Sequence, residues 1–244
     1  METVSIILAG LVVIGALIWI KWRFAQQRVE AAGESVPVPH EVESFKAELA
    51  HEDNGQLSLH FKEAVLKNMP SKAQAALELG AKPDAMIERG GNMIRPSASL
   101  LEEAVWANAA AIVELMLEAG ADPNLVHQTK KHSPLHQASK TGQTSLAELL
   151  LAQGADVDLV AQQGLTALHA AIANGNLDIV RLLLKAGADP ELTGPQDGLS
   201  PLERAQAFST DRWSNKRTRE ACEVMCGVLE AAIAASPRAQ GSET

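Results

Sequence analysis

At 244 residues the chain has room for one or two domains. Aromatic residues make up only 3% and Tyr is absent, while Ala and Leu abound, which favours an all-α solenoid of small residues over a sandwich or barrel. A formal net charge of -9 argues against a nucleic-acid footprint, so no nucleic-acid partner is expected.

The first element is an apolar run, Val4 to Ile20, in which Ser5 is the only polar residue. As a helix it would span about 25 Å. Trp19, Trp22 and Phe24 can anchor such a helix at a bilayer interface while Lys21 and Arg23 snorkel. A cleaved signal peptide would want a basic amino-terminal region, but Met1 to Ser5 carry Glu2 and no Lys or Arg. It would also want a small-x-small cleavage site, and K-W-R-F comes next instead. Residues 1–24 therefore read as an uncleaved transmembrane anchor. Lys21, Arg23 and Arg28 all lie after the span, which places the rest of this single-pass membrane protein in the cytoplasm.

Residues 25–55 read as a linker. Gly33 to His40 holds Pro37 and Pro39 and is expected to be extended. Glu41 to Ala50 has Val42, Phe45 and Leu49 on one side, which suits either a capping helix on the next domain or a flexible spacer.

From residue 56 to 236 the chain repeats itself. Its clearest copy, Gly164 to Pro190, reads G-L-T-A-L-H-A-A-I-A-N-G-N-L-D-I-V-R-L-L-L-K-A-G-A-D-P. Thirty-three residues earlier, Ser133 to Val157 reads S-P-L-H-Q-A-S-K-T-G-Q-T-S-L-A-E-L-L-L-A-Q-G-A-D-V. Both keep S/T-x-L-H, a Gly nine residues on (Gly142, Gly175), and Gly-Ala-Asp twelve residues later. Thr166 and Ser133 stand where a hydroxyl can cap the first helix. Leu168, Ala170 and Ala171 give that helix a narrow packing face. Gly142 and Gly175 fall where the chain reverses and a positive φ is expected. Ile179, Val180, Leu183 and Leu184 form the apolar stripe of a second helix, which Gly187 ends.

A period of this size with turn residues in phase marks a stacked repeat, and these segments resemble ankyrin repeats. Phase extends the pattern in both directions. Ser99 opens S-L-L-E-E-A-V-W-A-N, with Asn108 on the Gly position and Ile112, Val113, Met116 and Leu117 on the stripe. A degenerate copy starts at Leu59, with Asn68 on the turn, and Lys72 and Ala73 in place of the usual aliphatic pair. The finger after it, 83–98, is longer than its counterparts and suits either a binding element or an insertion. Ser200-Pro201-Leu202-Glu203 restarts the pattern. A long final helix, about Lys216 to Ala235, reads as the terminal cap, with a loose tail over 237–244. The expected architecture is thus an all-α solenoid of about five helix–turn–helix repeats, preceded by one transmembrane helix.

Little in the chain suggests catalysis. The sequence holds no G-x-S-x-G, P-loop, H-E-x-x-H or G-x-G-x-x-G motif. No catalytic residue, cofactor, metal or small-molecule substrate is expected. His127, His132 and His136 lack metal-site spacing, and Asp122, Asp156 and Asp189 of the G-A-D segments read as turn formers. Cys222 and Cys226, at C-x-x-x-C, fit free thiols. The resemblance implies that His136 and His169 tie neighbouring turns together, a link missing at Lys62, Glu102 and Glu203.

The resemblance further implies a concave face, built from finger tips and first helices, that binds a protein partner. The first-helix positions just before the turn are Trp106-Ala107, Lys140-Thr141, Ala173-Asn174 and Ala207-Phe208. Trp106, Lys140, Asn174 and Phe208 are therefore candidate partner-binding residues, with Lys130, Lys131, His132, Gln162, Gln163 and Leu165 from the fingers. Trp106 can equally pack beneath the long finger. Two functional readings stand at this point. One is a membrane-tethered adaptor or scaffold. The other is a membrane-bound immunity-type inhibitor or protective partner of a single enzyme, on the opposite side of the membrane if the orientation is reversed.

Overall fold

A computed structural model describes residues 37–87, 98–126, 132–161, 164–194, 198–211 and 216–235. The apolar run Val4 to Ile20, residues 25–36 of the linker, the finger tips and the tail lie outside the described residues. Among the described residues no helix is long and apolar enough to cross a membrane.

Eleven helices are described: α1 (Pro39–Leu49), α2 (Asn54–Leu66), α3 (Pro70–Glu78), α4 (Leu100–Trp106), α5 (Ala110–Glu118), α6 (Pro134–Thr141), α7 (Thr144–Ala152), α8 (Ala167–Ala173), α9 (Leu177–Lys185), α10 (Pro201–Thr210) and α11 (Lys216–Ala235). The last ten form five antiparallel pairs. The first members, α2, α4, α6, α8 and α10, pack side by side as an inner layer, and the second members form an outer layer behind them. Helices as short as the 7 residues of α4 and α8 are not stable alone in water. One apolar core running from Leu49 to Leu229 holds them, with Phe61, Leu100, Ile112, Leu135, Leu168 and Leu183 almost wholly buried.

The turns obey the backbone demands legible in the sequence. Gly142 and Gly175 have φ of 80° and 71°, and Asn68 and Asn108 hold the same left-handed region at 51° and 56°. At the far end of each pair the Gly-Ala step closes the helix. The Ala188 N–H, for example, donates to the Leu183 carbonyl at 3.0 Å, and Gly187 has φ 96°.

Asp122, Asp156 and Asp189 are indeed turn formers, each accepting the N–H of the residue two positions on, at 2.8, 3.1 and 2.9 Å. The sequence did not disclose what links one such turn to the next. Asp84 Oδ1 accepts the Asp122 N–H at 2.9 Å, Asn124 Oδ1 that of Asp156 at 2.7 Å, and Asp158 Oδ1 that of Asp189 at 3.1 Å. This ladder ties four successive repeats through backbone donors. Burial raises the pKa of Asp158, and the Asp189 and Asp156 charges add to that rise against the pull of the Asp189 amide.

Three expectations need amendment, and one open alternative is resolved. The fold is all-α apart from a two-stranded antiparallel ribbon at the base of the long finger, β1 (Met86–Ile87) with β2 (Ala98–Ser99), in register Met86↔Ser99. Pro39 and His40 are helical rather than extended, because Pro39 sits in the first turn, where its fixed φ and missing N–H cost nothing. Of the two readings of 41–50, the capping helix is the one adopted: α1 lies against α3, with Val42 and Leu49 buried. Finally, α2 begins at Asn54, capped by Asp53, so Leu59 lies in mid-helix and is 58% exposed rather than standing at a cap.

Helix α1 is fixed by polar contacts as well. Ser71 Oγ accepts the Val38 N–H at 3.1 Å and donates to Glu41 Oε2 at 2.9 Å. Lys46 pairs with Glu78, and these neighbours, Glu78 before Glu43, raise its pKa.

Candidate functional site

The inner helices bury one face against the outer layer, which leaves the opposite face toward solvent. On α4 this puts Trp106 in the last turn, 46% exposed, and on α6 it puts Lys140 at the same register, also exposed. Asn174, the residue after α8, is exposed, and its Nδ2 donates to the Ala170 carbonyl at 2.9 Å. Phe208 is placed differently. It is half-buried and packed on the core, because α10 continues to Thr210 and no glycine turn reverses the chain where Phe208 would have projected. Lys130, Lys131, Gln162 and Gln163 lie outside the described residues, as does His127. His132 and Leu165 are described and half-buried.

Leu165 contributes its backbone. The His136 Nε2–H donates to the Leu165 carbonyl at 2.9 Å, while Nδ1 accepts from the Ser133 hydroxyl at 2.8 Å and lies 3.4 Å from the Ser133 N–H. Helix α8 repeats the arrangement, with His169 Nε2 at 3.4 Å from the Leu199 carbonyl and Nδ1 at 3.0 Å from Thr166 Oγ1. Both ring nitrogens of His136 are thus engaged, and its ring meets that of His132 edge to face at 6.0 Å. Burial depresses the His136 pKa to about 4, against the pull of the Leu165 carbonyl. At neutral pH this imidazole is an uncharged tie between repeats. Where Glu203 stands in place of the His, α10 keeps the same local capping box: Glu203 Oε2 accepts the Ser200 N–H at 2.7 Å, as His136 Nδ1 faces the Ser133 N–H.

Among the described residues no group of three His, Cys, Asp or Glu side chains is placed to hold a metal ion. Both cysteines are free thiols. Cys222 is buried, its Sγ donates to the Ile172 carbonyl at 3.7 Å, and burial pushes its pKa up to about 11, which suits core packing rather than nucleophilic chemistry.

Sequence reasoning passed over Leu66. It stands two residues before the Asn68 turn, as Trp106 stands before Asn108, and it is 52% exposed. The degenerate first repeat concealed it, although the Asn68 register alone would have found it.

Short helix pairs stacked in two layers, with the ends of the inner helices exposed, define a helical repeat protein. Residues 101–193 match the family model for ankyrin repeats, in three copies. Over those residues the chain is similar to that family, and the helix pairs before and after them continue the same two-helix unit. Ankyrin repeats are protein–protein interaction modules and typically carry no enzyme activity, so a protein partner is implied. No curated protein matches the chain.

Proposed function

We propose that the chain is a membrane-tethered adaptor that holds one protein partner at the membrane surface through the concave face of its repeats. The observation that carries the reading is the exposure of Trp106 in the open inner layer, with Lys140 at the same register one repeat on. A large aromatic on a solvent-facing layer is the kind of anchor on which interfaces depend. A photo-reactive side chain at position 140 of the full chain is expected to capture a partner, and one at Arg181 on the outer helix α9 is not. Trp106→Ala should abolish the capture without moving the melting temperature. Capture at 181 alone would put the binding face on the wrong side.

Tethering rests on the Val4 to Ile20 run and its carboxyl-side lysine and arginines. A reporter enzyme active only outside the cytoplasm, fused after Thr244, is expected to be silent. Strong activity would reverse the orientation and favour the protective-partner reading on the other side of the membrane.

A further inference from the structure

Six large apolar side chains are exposed among the described residues: Val38, Leu59, Leu66, Trp106, Val160 and Val224. Three of them share one place. Leu59 and Leu66 are seven residues apart on α2, two helical turns, so they point the same way, opposite the buried Leu57, Phe61, Ala64 and Val65. They are separated by about 10 Å along the helix. Trp106 occupies the register of Leu66 on the adjoining α4, about 8–10 Å across the layer. The result is a triangular apolar patch at the amino-terminal end of the groove.

The rim of that patch is mostly of one sign. Lys62 lies between the two leucines, Lys67 comes directly after Leu66 with its side chain 62% exposed, and Lys140 stands one repeat beyond Trp106. Of the carboxylates nearby, Glu63 is already held by Lys67 at 2.6 Å and Lys72 at 3.5 Å, and these lysines lower its pKa. Glu103 is buried and Glu102 half-buried. A lysine rim on a chain of net charge -9 is a local reversal. It also disfavours a second copy as occupant, because two such patches face to face would set lysines against lysines.

We propose, resting on the concave-face reading above, that the partner presents an acidic amphipathic helix to this patch. Its apolar i, i+4, i+7 stripe matches the length of the Leu59–Leu66 edge and reaches Trp106. Its flanking Glu or Asp residues meet Lys62 on one side and Lys140 on the other.

The test uses the full chain and a labelled helical peptide of about 18 residues, five turns, with a leucine stripe flanked by Glu. Two companions carry Lys for every Glu, or the same residues scrambled. Fluorescence anisotropy is expected to show the acidic peptide binding at least about tenfold tighter than either companion. Leu66→Ser with Trp106→Ala should remove that binding at unchanged melting temperature, and Lys140→Glu should narrow the gap between acidic and basic peptides. Equal binding of all three peptides, or retention of binding in the double variant, overturns the proposal. An intramolecular crosslink from a photo-reactive side chain at position 66 to residues 1–36 overturns it as well, by naming the chain itself as occupant. Capture of a partner at position 140 with no preference among the peptides leaves the concave-face reading standing and sinks only the acidic helix. Capture confined to position 181 sinks both.

Discussion

Gly175→Val is expected to destabilise the protein by about 3 kcal/mol, a large share of the marginal stability of a domain. Two costs combine at this position. With φ at 71°, a β-branched residue is strained by roughly 1–3 kcal/mol. A Cβ there would also meet the backbone of the last helix, 3.3 Å from Thr218 Cα, so α11 would have to give by a few tenths of an ångström. Gly187→Ala separates the two costs. Its φ is 96°, yet nothing lies within 4 Å of an added Cβ, so strain alone applies and the loss should stay near 1 kcal/mol. Asn174→Ala, which removes one exposed bond within its own helix, should change little. Urea midpoints of the three variants measure the order. Equal midpoints for Gly175→Val and Asn174→Ala would contradict the register of the repeats.

Acid is expected to weaken the fold through His136, and the sign is set by where the proton binds. The unfolded imidazole titrates near 6.5, the folded one near 4. Between those values the unfolded chain carries a proton that the folded chain does not, so stability falls as pH falls. The loss begins below about pH 6.5 and is complete by about pH 4, amounting to roughly 3 kcal/mol. Chemical denaturation across that window reads it directly. His136→Gln should be less stable at pH 7, having lost the tie to the Leu165 carbonyl, but should show a shallower decline on acidification. An equally steep decline in that variant would assign the effect to other groups.

The parts of this fold that were legible in the sequence are those fixed locally. Gly175 and Asn108 announce a left-handed turn because few other residues enter that region, and Ser133 with His136 announces a helix start. What stayed hidden depends on a neighbour about thirty residues away. Asp84, Asn124 and Asp158 look like ordinary turn residues until the next repeat brings an amide to each. Phe208 was misplaced because α10 runs past the point where a turn was assumed, and Leu66 was passed over because its repeat keeps so little of the pattern. The ribbon of β1 and β2 is two residues per strand, too short for any periodicity to announce.

The way α1 is attached has a mechanical consequence. The chain enters the outer layer at Val38, so a pull on the preceding residues reaches α1 before any inner helix. It is resisted first by the Val38–Ser71 hydrogen bond, then by Ser71 with Glu41 and Lys46 with Glu78. These partly buried polar contacts act on a helix outside the five pairs. Tension on that end would therefore load α1, with its buried Val42 and Leu49, before it reached the inner layer that carries Leu66 and Trp106. On the proposed reading of a tethered adaptor, a cargo held by that layer could be tugged against the tether without loosening the surface that grips it.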